Sequence, residues 1–245
     1  MLLIEEITSI EGRLSEDKGM VMPFVCTAGG RSFYAKGSNT LAVGLINELV
    51  CAHLARAFGL PVPDFEVLRM DELLKDVVSP DWAFDLQYEY LFGSASVVPC
   101  EKITLSDVGI FAPELRRDLI VFDAWVRNED RSLTELDGNP NLLVTLPGKE
   151  LMVIDHNLAF DDGFNEVDFR QMHVFAGVLK ELPVQLPEQA DYAVRFDAAL
   201  IILDEVFDLI PAEWLESLPD PDGYLKKISQ RLGNYKQDCF WGLLS

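Results

Sequence analysis

The residues best suited to do chemistry lie between Asp118 and Phe160, in the run DLIVFDAWVRNEDRSLTELDGNPNLLVTLPGKELMVIDHNLAF. Their oxygen-bearing side chains fall at the ends of apolar stretches, where sites are commonly assembled. Leu119 to Val126 is apolar with one interruption, Asp123, and leads into a polar loop holding Asn128, Asp130 and Arg131. Asn141-Leu-Leu-Val-Thr-Leu and Glu150-Leu-Met-Val-Ile-Asp155 read as two short strands joined by Pro147-Gly148-Lys149, a turn composition. In an antiparallel hairpin the first residue of one strand lies beside the last of the other, so Asn141 and Asp155 are expected to meet. An amide oxygen, a carboxylate and a second carboxylate from the Asp130 loop make an all-oxygen site. Such hard ligands suit Mg²⁺ carrying phosphate oxygens. Taken singly, each of these residues would read as a loop cap or turn former. It is the ordered set that carries information.

That order is the one used in phosphoryl transfer: an aspartate that takes the acceptor hydroxyl's proton, then an asparagine metal ligand, then an aspartate metal ligand closing a hairpin. Asn128-Glu-Asp-Arg131, Asn141-Leu-Leu-Val144 and Ile154-Asp-His-Asn-Leu-Ala-Phe160 resemble the catalytic segment of the HipA-like kinase family, bacterial relatives of the protein-kinase and phosphoinositide-kinase fold. One departure stands out. Asp130 and Asn141 are eleven positions apart, longer than the usual kinase loop, so Ser132 to Asn139 must bulge out and Asn139 is a rival metal ligand. Arg131 either stabilises transferred phosphate or pairs with an acid such as Glu129 or Asp137. His156 is expected to orient Asp155 or its loop.

The elements that would position this set begin at the N-terminus. Met1 to Lys36 reads as β structure, with Ala28-Gly-Gly30 as a hairpin turn and Leu14 to Gly19 as a polar loop in the place where a kinase covers its phosphates. Lys36 ends the strand Ser32-Phe-Tyr-Ala-Lys36, the position of the kinase lysine that pairs with the α and β phosphates. Asn39 or Thr40 can cap a helix to about Phe58, stopped by Gly59. One face of it is a core stripe that includes His53, read as a core histidine with its hydrogen bonds satisfied and not as a ligand. The opposite face (Gly44, Glu48, Cys51, Ala52, Ala55) is small and nearly as apolar, so the helix should be packed on both sides. Glu48 then needs a charged partner, and Lys36 is the natural one. Asn47-Glu48 and Leu54 to Pro63 again resemble HipA-like kinases.

Asp64 to Met70 and Phe84 to Leu91 look like further strands, and Phe92-Gly-Ser-Ala-Ser96 like a break. By its resemblance this would be the hinge, with Glu89, Tyr90 and Leu91 beside adenine. Beyond it the periodicity is helical: Ala112–Val126, Val167–Leu179, Glu188–Leu209, Ala212–Leu218 and Asp222–Leu244. The expected architecture is α+β, a two-lobed protein-kinase-like fold with a β-rich N-lobe over residues 1–91 and a mainly helical C-lobe over 92–245.

Composition narrows the classes. Hydrophobic residues make up 49% of 245 and charged ones 25%, ordinary for a globular chain. The net charge of −21 repels nucleic-acid phosphates, so no direct nucleic-acid binding is expected. Four cysteines without a C-x-x-C pair read as reduced thiols, and three histidines give no zinc spacing. Apolar runs such as Ala198 to Leu203 are too short to span a bilayer, so the expected location is cytoplasmic, off the membrane. The resemblance implies ATP and Mg²⁺ as cofactors, Asp130 and Lys36 as catalytic residues, Asn141 and Asp155 as metal ligands, and Lys36 and Glu48 at the nucleotide. It further implies a serine or threonine of a protein substrate as acceptor, and admits an antitoxin-like partner that no residue here requires. A small-molecule kinase on the same fold and a nucleotide-binding pseudokinase remain the alternatives.

Overall fold

In the computed structural model, which describes residues 4–14, 22–134 and 138–245, most strands lie in the first half of the chain and most helices in the second. Strands β1 (Ile4–Arg13), β2 (Phe24–Ala28) and β3 (Arg31–Lys36) precede helix α1 (Leu41–Phe58). Then come β4 (Phe65–Arg69), the short helices α2 (Glu72–Val77) and α3 (Pro80–Ala83), and β5 (Tyr90–Ala95). The five strands close into a barrel of order β1-β2-β3-β5-β4, sealed where β1 runs parallel to β4. The β2–β3 turn is the one expected: Gly29 and Gly30 have φ of 53° and 74°, the left-handed pair that a two-residue hairpin favours. Alternate residues Phe24, Cys26, Ala28, Phe33 and Ala35 point inward and are fully buried. The loop expected over Leu14 to Gly19 lies, beyond Leu14, outside the described residues.

Two expectations fail between β4 and β5. Phe84 to Leu91 is not a strand: its start is a 3₁₀ turn (Phe84–Leu86) following α3, and pairing begins only at Tyr90. The apparent break at Phe92-Gly-Ser is the middle of β5, paired with both β3 and β4. Gly93 is there because the Leu68 side chain fills the space its Cβ would need, 2.4 Å away. Glycine marks close packing here, not a turn.

After β5 the chain forms β6 (Cys100–Lys102), α4 (Pro113–Val126) and the hairpin β7 (Leu142–Thr145) and β8 (Leu151–Val153), with order β6-β7-β8. The rest is helical: α5 (Glu166–Met172), α6 (Val178–Glu181), α7 (Leu186–Leu200), α8 (Leu203–Phe207), α9 (Ala212–Glu216), α10 (Pro221–Leu232) and α11 (Asp238–Gly242). The long helices expected over Val167–Leu179, Glu188–Leu209 and Asp222–Leu244 are each divided in two. The first breaks at His173, whose ψ of 133° turns it into a bridge with Ser132. The last breaks at Gly233, followed by a 3₁₀ turn.

The molecule is thus mixed α+β, with a β-rich N-terminal region and a helical C-terminal region. Helix α1 joins them. It is long and apolar enough to cross a membrane by length and composition, but 72% of its most apolar window is buried inside the fold. Both of its faces are packed, as its sequence demands, and Gly59 at φ 95° ends it. Its first residue departs from expectation, for Thr40 makes no side-chain cap and a 3₁₀ turn over Ser38–Thr40 leads in.

Candidate active site

A cavity of about 520 Å³ opens between the barrel and the β6-β7-β8 sheet, and Lys36, Glu48, Asn141 and Asp155 all line it. Lys36 arrives from the end of β3 and Glu48 from the buried small face of α1. Lys36 Nζ donates to Glu48 Oε1 and, at 2.6 Å, to Asp155 Oδ1. The pairing read from the sequence is present, with a second carboxylate added. Burial pulls the Lys36 pKa down, but the charges of Asp155 and Glu48 outweigh it and hold the ammonium above its ordinary range. Burial pushes the Glu48 carboxyl up, with Lys36 opposing, whereas Lys36 overcomes burial at Asp155 and keeps that carboxylate charged.

The hairpin delivers its ends as expected. Leu142 pairs with Val153, and Ile154 N–H donates to Asn141 O at 3.1 Å, so Asn141 and Asp155 flank the same end. Both have left-handed backbone, φ 48° and 61°, which Asn and Asp tolerate better than other side chains and which recurs at functional sites. The long loop does not separate Asn141 from Asp130. Asn141 Nδ2 donates to the Asp130 carbonyl at 2.7 Å and to its Oδ2 at 3.2 Å. Asn139 stays in the bulge, its carbonyl taken by Ser132 N–H, and Asn141 rather than Asn139 lines the cavity. Burial and then the charge of Asp155 raise the Asp130 pKa, a direction that suits a group meant to receive a proton.

Divalent cation chemistry fits this donor set. Both Asn141 bonds use Nδ2 and leave its amide oxygen uncommitted by them, beside a charged Asp155. One ammonium faces three carboxylates, Glu48, Asp155 and Asp130, a local excess of negative charge that a divalent cation would balance. Among the described residues no group of three or more His, Cys, Asp or Glu could hold a metal ion alone. Mg²⁺ held by one or two protein oxygens, with phosphate and water supplying the rest, needs no such group.

Beneath the loop that holds Asn128, Asp130 and Arg131 lies a second network, built around a residue that sequence reasoning passed over. Asp123, on α4 and completely buried, accepts from Arg131 Nε at 2.7 Å, His173 Nε2 at 3.0 Å and Asn128 Nδ2 at 2.9 Å. Arg131 is therefore not available to transferred phosphate, and Glu129, one of the two expected acids, is not its partner. Glu129 instead accepts Asn165 N–H, and Asp137 lies outside the described residues. Through Nη1, Arg131 also donates to the carbonyls of Asn141 (2.6 Å) and Ile154 (3.2 Å), clamping the backbone at Asn141 and just before Asp155. Its Nη2 meets His156 Nε2 at 3.1 Å. Burial, reinforced by Arg131, pushes the His156 pKa down to about 3, so the ring is neutral and braces the loop. The one signal in the sequence was an acid interrupting the apolar face of a helix, a position that demands a buried partner.

Glu89, Tyr90 and Leu91 do not line this cavity. Glu213 on α9 accepts the backbone N–H groups of Glu89 (3.0 Å) and Tyr90 (2.6 Å), Trp214 Nε1 donates to Tyr90 O at 3.1 Å, and Leu91 is buried within the barrel. Because β5 runs on to Ala95, the cavity is lined further along the chain, by Ala95, Val97, Cys100, Glu101 and Lys102.

A lysine fixed by a helical glutamate, a carboxylate beside it at a hairpin end, and an asparagine reaching a loop aspartate form the arrangement expected of a phosphoryl-transfer site. A family model described as HipA-like kinase matches residues 7–244, and the chain belongs to that family of phosphotransferases. Membership implies ATP use and usually a divalent metal. A solved structure, a Helicobacter pylori proinflammatory kinase CtkA, is similar to this chain at 11% identity and a TM-score of 0.49, covering 98% of this chain and 96% of that one. No curated protein matches the sequence.

Proposed function

We propose that this chain is an ATP- and Mg²⁺-dependent kinase with a two-lobed protein-kinase-like fold, transferring the γ-phosphoryl group to a serine or threonine hydroxyl of a protein. The observation that carries the reading is the convergence of Lys36, Glu48 and Asp155 in one cavity with Asn141 bonded to Asp130 at its edge. Lys36 neutralises phosphate charge and Glu48 keeps it aimed. Asn141 and Asp155 would hold Mg²⁺, which supplies charge neutralisation at the transferred group. Asp130 orients the acceptor hydroxyl and takes its proton, which its raised pKa favours. The base of ATP would lie against the stretch from Ala95 to Lys102, of which Ala95, Val97 and Cys100 offer an apolar surface. The lengthened loop leaves the Asp130–Asn141 contact that this reading needs intact. The test is transfer of labelled γ-phosphate from Mg-ATP into the protein and into a cell lysate, against Asp130→Ala and Asp155→Ala. Label in the wild type that both variants lose is the expected result. ATP binding without transfer would sink the enzyme reading, and labelling of small molecules alone would move the acceptor to that class.

A further inference from the structure

Asn47 is 2% exposed on α1, one residue before Glu48, and belongs to neither the ion cluster nor the network under the catalytic loop. Its Nδ2 donates to the carbonyls of Asn157 at 3.0 Å and Ala159 at 2.7 Å. Its Oδ1 accepts from Tyr224 Oη on α10. Glu48 Oε2 accepts His156 N–H at 3.0 Å. The adjacent pair Asn47-Glu48 thus grips the segment that begins with Asp155 along its backbone. That segment needs the grip. It starts and ends on left-handed residues, Asp155 at φ 61° and Phe160 at φ 58°, and its internal backbone bonding is a single turn from Ala159 N–H to His156 O. It also passes so close to α1 that a Cβ at Gly44 would stand 3.5 Å from that of Asn157.

We infer that Asn47, held in place by Tyr224, is a positioning residue that sets the backbone of the Asp155 loop and through it the affinity of the site for its divalent cation. The inference rests on the proposed kinase reading, since it concerns the metal ligand of that site. Bonds that orient a ligand's own loop act on metal affinity as outer-shell partners do, where a lost partner typically costs about 10–100-fold. Asn47→Asp is the sharpest variant. It keeps the shape and the acceptor for Tyr224 but turns an attractive N–H into an oxygen facing two carbonyls. Tyr224→Phe is the mildest, deleting one hydroxyl on another helix.

The experiment is a titration of Mn²⁺ followed by electron paramagnetic resonance, with a non-hydrolysable ATP analogue present, on wild type, Asn47→Asp and Tyr224→Phe. Binding of the analogue in excess chelator and thermal unfolding are measured beside it. The expected result is a half-saturating Mn²⁺ concentration raised about 10–100-fold in Asn47→Asp. A smaller rise in Tyr224→Phe is expected, with metal-free nucleotide binding unchanged in both. If Asn47→Asp does not fold, Tyr224→Phe decides alone. Wild-type metal affinity in Tyr224→Phe, or a loss of thermal stability without a loss of metal affinity, overturns the inference while the kinase reading stands. A wild type that binds no Mn²⁺ with the nucleotide analogue overturns both.

Discussion

Two buried charge clusters, less than a loop apart, use the same kinds of residue for opposite ends. In the cavity, Lys36 is shared between Glu48 and Asp155, with Asp130 close by, so acids outnumber the cation. Under the loop, Asp123 and Arg131 balance one another, and the neutral His156 and His173 complete their bonding. The first cluster carries more acids than cations and faces a cavity, which is the condition the proposed metal and phosphate chemistry requires. The second is charge-balanced and sealed, with the Asp123 and Arg131 side chains at 0% exposure, which is the condition of a brace. Charge imbalance together with access, more than burial or pKa perturbation alone, separates the working cluster from the supporting one.

The largest effects should separate the two. Asp155→Asn is expected to lower phosphoryl transfer by at least about 10³-fold while the protein unfolds at nearly the wild-type temperature. Asp123→Asn is expected to do the reverse in kind. It strands a buried guanidinium and should cost about 3–5 kcal/mol of stability in urea or guanidinium titrations. A wild-type stability for Asp123→Asn would dissolve the contrast. Arg131→Lys sharpens it further, because an ammonium keeps the charge but cannot reach Asp123, Asn141 and Ile154 at once. A loss of about 2 kcal/mol, with transfer reduced in the surviving folded protein, is the expected outcome.

Outside both clusters the effects shrink. Glu213→Ala frees two backbone N–H groups at the contact between α9 and β5, and should lower stability by about 1–2 kcal/mol without changing nucleotide affinity. A drop in ATP affinity there would return Glu89 and Tyr90 to the nucleotide site. The smallest effect concerns His53, whose ring packs edge-on against Phe65 and whose Nε2 is buried without a partner among the described residues. Burial, helped by Arg56, pushes its pKa down to about 4. The unfolded chain then binds the proton first as pH falls through about 6.5, so this histidine's contribution weakens on acidification. Relative to His53→Leu, the wild type should lose about 1 kcal/mol between pH 7 and 5.5, a figure discounted for the partial exposure of the ring. Equal pH profiles for the two proteins would show that the ring titrates normally.

What could be read from the chain were features fixed over short distances. Alternation and the Gly29-Gly30 turn specified the β2–β3 hairpin, and Pro147-Gly148-Lys149 specified the hairpin that brings Asn141 to Asp155. The two-sided burial of α1 followed from its lack of a polar face, and the need of Glu48 for Lys36 followed from that burial. The errors arose where a local signal had a tertiary cause. Gly93 resembled a break because the chain does not announce that Leu68 fills the space beside it. The Val167–Leu179 periodicity was helical, but His173 leaves the helix to reach Asp123, a partner 50 residues away.

Asp123 shows the limit most plainly. An acid within an apolar helix stretch must find a counter-charge, and that much the sequence determined by the cost of burying it alone. Which of the nearby cations would answer was set by packing. Arg131, rather than turning toward phosphate or Glu129, folds inward, where one guanidinium joins Asp123 to the carbonyls at Asn141 and Ile154. The chemical identities of the site were written in order along the chain. Their distances, the charge imbalance of the cavity and the bracing beneath it exist only once strands and helices distant in sequence are packed together, because electrostatics and hydrogen bonds act through space.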